Sequence, residues 1–64
     1  MLKTNFSVSE RWALDLLRLI EHRFGLKLIQ MSAAVISTNK KLPLYKYARI
    51  RAYIDGYQDA RANY

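Results

Sequence analysis

The sequence predicts an all-α domain of two to three helices, and three observations carry that expectation. Apolar residues recur at three- and four-residue spacing over residues 8–24, a second run at helical spacing covers 28–37, and a long segment with apolar residues at helical spacing on two sides fills 44–62. A chain of 64 residues is one small domain, residues 1–64, near the lower size at which a single core holds itself together. It has no cysteine, and its single histidine, His22, cannot build a zinc cage. With both staples missing, oligomerisation is the common remaining route to stability, so a homodimer is expected.

Residues 2–8 alternate, with Leu2, Thr4, Phe6 and Val8 on one side and Lys3, Asn5 and Ser7 on the other. Period two fits a short half-buried strand, and the segment is also short enough to be an unstructured arm. Ser7 with Glu10 three residues on has the form of a capping box, which would start the first helix at Val8. Within 8–24, Trp12, Ala13, Leu16, Leu17, Ile20 and Phe24 share one face, and the charged residues lie mainly opposite. Gly25 offers the left-handed residue that stops such a helix.

Leu26, Ile29, Ala33 and Ile36 match a helix face and fail strict alternation, so a second, shorter helix is expected over 28–37. Val35, Ile36 and Thr38 oppose it, because β-branched side chains lose rotamer freedom in a helix. Residues 38–43 form a basic connection, and Pro43 suits the first turn of the next helix.

The segment 44–64, whose helix is expected over 44–62, is apolar on two sides. Tyr47, Ile50, Ile54, Tyr57 and Tyr64 recur at spacings of three and four, with Arg61 taking one slot. A second row, Ala48, Ala52, Gly56 and Ala60, steps by four. One domain easily buries one stripe, whereas two call for a partner. The expected subunit contact is therefore Tyr47, Ala48, Ile50, Ala52, Ile54, Gly56, Tyr57 and Ala60. Gly56 costs about 1 kcal/mol against alanine in a helix interior, and close approach of another backbone would account for it.

Function is bounded more by exclusion. Glu10, Asp15, Glu21, Asp55 and Asp59 lie on charged faces with no poised acid–base pair, and no glycine-rich phosphate loop exists. A non-enzymatic protein without metal or cofactor is expected. No apolar run is long enough for a membrane span, no secretory signal is evident at the N-terminus, and a cytoplasmic location is the default. The net charge is +6, of which residues 39–64 carry +4. Lys40, Lys41, Lys46, Arg49 and Arg51 are interleaved with Tyr45, Tyr47 and Tyr53, a pattern that fits phosphate contact with aromatic stacking and also fits a solvated face around buried tyrosines. The leading expectation is an adaptor or modulator that acts on a protein partner; the alternative is DNA binding through Lys3, Asn5, Lys40, Lys41, Lys46 and Arg49.

Two resemblances bear on that alternative. Lys3, Asn5 and Ser7 on a polar strand face, Phe6 and Val8 on the buried one, and the helices expected on either side of Gly25 together resemble a ribbon-helix-helix repressor. The resemblance implies an intertwined dimer whose strand side chains enter the DNA major groove. It departs from that family at Lys27, Leu28 and Ile29, where a small polar cap and an acidic residue usually open the second helix, and in its extra C-terminal helix. In length, charge and the ending YIDGYQDARANY the whole chain also resembles small, basic accessory proteins from the early regions of temperate phages and mobile elements. That resemblance implies binding to a host or phage macromolecule without catalysis.

Overall fold

The computed structural model describes residues 4–63, and its order of elements is mixed rather than all-α. Strand β1 (Thr4–Ser7) leads to helix α1 (Ala13–Phe24), then to strands β2 (Ile29–Ser32) and β3 (Val35–Thr38), and the chain ends in helix α2 (Leu44–Ala62). The strands form one antiparallel sheet in the order β1-β3-β2, so the last strand in sequence is the central one. Phe6 stands opposite Ile36, and Ile36 opposite Gln30.

The helix expected over 28–37 is therefore corrected to a β-hairpin turning at Ala33 and Ala34. Its helical spacing was accidental: Leu26 and Ile36 are buried, but Ile29 and Ala33 of the same supposed face are exposed. The β-branched residues Val35, Ile36 and Thr38 prevail because their pleated strand sits against a core. A second cause is the backbone of β1, which needs a hydrogen-bonding neighbour. β3 supplies it, and the Val8 N–H extends the pairing by donating to the Ala34 carbonyl at 2.8 Å.

The same pairing displaces the expected start of the first helix. Ser7 belongs to β1 opposite Val35, so it cannot cap. Residues 10–12 turn, Trp12 occupies the N-cap position with no side-chain cap, and its carbonyl accepts the Leu16 N–H at 2.8 Å. The Ser9 N–H instead donates to Gln58 Oε1 of α2, tying the β1–α1 link to the last helix. At the other end of α1, Gly25 adopts φ 66° and ψ 35°, a left-handed stop that suits glycine.

The core joins β1, α1, β3 and α2, while β2 lies outside it with all four residues exposed. Phe6, Ala13, Leu16, Ile20, Ile36, Ile50 and Ile54 are almost fully enclosed, with Val8, Leu26 and Leu28 at its margin. Tyr47 lies flat on Phe6, with ring centroids 4.9 Å apart and planes 17° apart. Polar groups within the sheet are satisfied: the buried Ser37 hydroxyl donates to Asn5 Oδ1 at 2.6 Å. Among the described residues no helix is long and apolar enough to cross a membrane.

Phe6 touches both the central strand and α2, so Phe6→Ala should cost about 3–5 kcal/mol. Urea unfolding followed by circular dichroism is expected to show a midpoint near zero denaturant, because a chain this small has about the same amount to lose.

Candidate functional site

The faces of α2 sort the candidate residues once the core is placed. Ile50 and Ile54 have no exposed surface, and Tyr47 and Tyr57 are half-buried against the same core. That stripe is covered by the chain itself. Ala48, Ala52, Gly56 and Ala60 are all exposed, and a Cβ added at Gly56 would meet nothing within 4 Å. Among the described residues no backbone outside the helix's own neighbouring turns approaches that glycine. Tyr64 lies outside the described residues.

The basic candidates fall into separate places. Lys3 lies outside the described residues. Asn5 is engaged by Ser37 across the sheet, and the neighbouring Ser7 carbonyl accepts a bond from Arg51 Nη1 at 2.8 Å. Arg51 also pairs with Asp55 at 2.8 Å, so it is held on the β1 side of α2. Lys40 borders a depression with Glu21, Lys27, Leu28 and Asn39, and Lys41 is exposed on the connection before α2. Lys46 and Arg49 line a different hollow, and there they meet residues the basic run did not identify.

That hollow lies between the end of α1 and the first half of α2. Arg23, Phe24, Tyr45, Lys46 and Arg49 line a depression of about 590 Å³. A shallower one of about 370 Å³ continues it, sharing Arg23, Phe24 and Arg49 and adding Ala52 and Tyr53. Tyr45, Lys46, Arg49, Ala52 and Tyr53 follow one another at offsets of one, three, three and one, which places them on one side of a helix. Gly25 ends α1 directly after Arg23 and Phe24, so both stand at its tip.

Aromatic contacts hold the two helices together at this point. The Phe24 and Tyr53 rings meet edge to face, with centroids 5.9 Å apart and an interplanar angle of 79°. The Arg23 guanidinium lies 5.4 Å from the Tyr53 ring centroid, a cation–π contact that fixes its carbon stem without neutralising its charge. Tyr45 is 68% exposed at the rim.

The electrostatics are one-sided. No carboxylate lines either depression. Among the described residues the only ion pair is Arg51–Asp55, and neither Lys46 nor Arg49 makes a side-chain hydrogen bond. Three cations facing one hollow repel each other weakly in water, and an incoming anion relieves that repulsion. Nothing in the hollow resembles a nucleophile with its base. Among the described residues no three His, Asp or Glu side chains are grouped as a metal site.

Comparison with protein-family models, with curated proteins and with solved structures finds no match.

The open surroundings of Gly56 give a direct check on the expected helix contact. In a free subunit Gly56→Ala should raise stability by about 0.5–1 kcal/mol, since the change only improves helix propensity. A loss of stability in thermal unfolding would mean that a partner's backbone packs there.

Proposed function

We propose that the protein is a non-enzymatic nucleic-acid-binding module whose contact surface is the hollow between α1 and α2. The observation that supports this reading is the convergence of Arg23, Lys46 and Arg49 around Phe24 and the exposed Tyr45, with no acidic residue in the lining. Cations positioned this way contact phosphates, and aromatic faces beside them take bases or sugars. Lys40 and Lys41, on the connection into α2, add to the positive field without lining the hollow. The major-groove strand of a ribbon-helix-helix repressor does not enter this reading, because Asn5 is bonded within the sheet and β1 pairs with β3 of its own chain.

A second reading, association with another protein or a second copy, is favoured by strand β2. It is an edge strand with all four residues exposed, including Ile29 at 51% and Met31 at 55%. Free strand edges with apolar side chains pair readily with other chains. If this edge or α2 joins two copies, the melting temperature rises with protein concentration. A concentration-independent melt with a monomeric sedimentation profile counts against a dimer.

Nucleic-acid binding is tested by fluorescence anisotropy with labelled oligonucleotides across a salt series. Three phosphate contacts give a slope of about −2 to −3 for log affinity against log salt concentration. Affinity of about 10⁻⁶–10⁻⁴ M is expected near physiological salt. Arg49→Gln should reduce the slope by about 1 and weaken all sequences alike. Retention that is absent, or indifferent to salt, removes the reading.

A further inference from the structure

Resting on that nucleic-acid reading, we infer that the hollow takes single-stranded nucleic acid, with an unstacked base against Tyr45 and the sugar–phosphate backbone running past Lys46, Arg49 and Arg23. The shape of the surface is the first support. The cations line two adjoining depressions that share Arg23, Phe24 and Arg49, and both fall within the usual range of about 300–1,000 Å³ for ligand clefts. Duplex DNA is read by a helix or ribbon that projects into a groove, whereas its bases are stacked away from a concave protein surface. A duplex could offer this hollow only phosphates. A single strand can offer it a base as well.

The placement of the aromatic groups is the second support. Tyr45 is 68% exposed, so most of its surface is free, and it lines the larger depression beside Lys46. Phe24 is half-buried and held edge to face by Tyr53, which makes it a fixed wall of both depressions. An exposed stacking ring at the rim, an aromatic wall inside and cations along the path are the parts that sequence-tolerant single-strand sites combine. Ala52 contributes by being small, since a larger side chain at that position would fill the second depression. The exposed alanine in that row thus has a use that does not require helix-on-helix packing.

Anisotropy titrations of the full chain with oligothymidine, oligouridine and a mixed-sequence duplex of equal length, each at a low and a physiological salt concentration, test the inference. Both single strands, or one of them, should bind more tightly than the duplex; oligouridine alone would assign the site to RNA through its 2′-hydroxyls, and oligothymidine binding equally well would make it indifferent to the sugar. Tyr45→Ala should weaken single-strand binding by at least about fivefold and leave duplex binding unchanged, while Tyr45→Phe should retain single-strand affinity. Tyr45 is exposed, so the variants are expected to keep the wild-type circular dichroism spectrum. Tighter duplex binding, or single-strand binding unchanged by Tyr45→Ala, overturns the single-strand inference and leaves the broader nucleic-acid reading standing. No salt-sensitive binding of any of the three overturns both.

Discussion

With 64 residues and no cysteine, the chain has a single core to build, and it does so where Phe6, Ile36, Ile50 and Ile54 meet. Each of these side chains contributes about 1.5–3 kcal/mol when fully removed from water, and Leu16 and Ile20 of α1 close the same cluster with no exposed surface. The arrangement works only if β3 is central. It must pair with β1 on one side and β2 on the other while keeping Ile36 in one core cluster with Ile50 and Ile54. Moving β3 by one residue would exchange the faces of Ile36 and Ser37, and Phe6 would lose its cross-strand partner in the core.

This constraint also decides which charges are left for function. Once Tyr47, Ile50, Ile54 and Tyr57 face inward, the rest of α2 has fixed directions. Arg51 falls on the β1 side, where it is used by the Ser7 carbonyl and Asp55, and Arg61 lies 5.1 Å from the Tyr57 ring. Lys46 and Arg49 fall on the α1 side, beside the tip where Gly25 stops the helix and leaves Arg23. Their convergence therefore depends on a sheet that none of the three belongs to.

Local signals in the sequence were strong wherever a periodic face lay within one element. The apolar face of α1, the stop at Gly25 and the 44–62 span of α2 are all visible as spacing. The hairpin was not visible, because four apolar residues in 26–36 matched a helical template by chance and because four-residue strands are too short to show alternation clearly. β1 was readable as a strand only by its alternation, and its partner, far along the chain, left no local mark. The site was half legible for the same reason. Lys46, Arg49 and Tyr45 sit in one basic-aromatic run, while Arg23 and Phe24 join them only through the fold, and their positions just before the helix stop at Gly25 were the sole hint. The double apolar character of α2 was legible as a pattern, but which row the chain would cover depends on the sheet.

The central claim is that each subunit covers its own Tyr47–Ile50–Ile54 stripe with its own Phe6 and Ile36. Isotope-filtered nuclear Overhauser spectroscopy on an equal mixture of labelled and unlabelled protein measures this directly, since it separates contacts within a chain from contacts between chains. The expected result is a Phe6–Tyr47 ring contact and Phe6–Ile36 cross-strand contacts within one chain. Finding those contacts only between chains, or finding helical sequential contacts through residues 29–38, would contradict it.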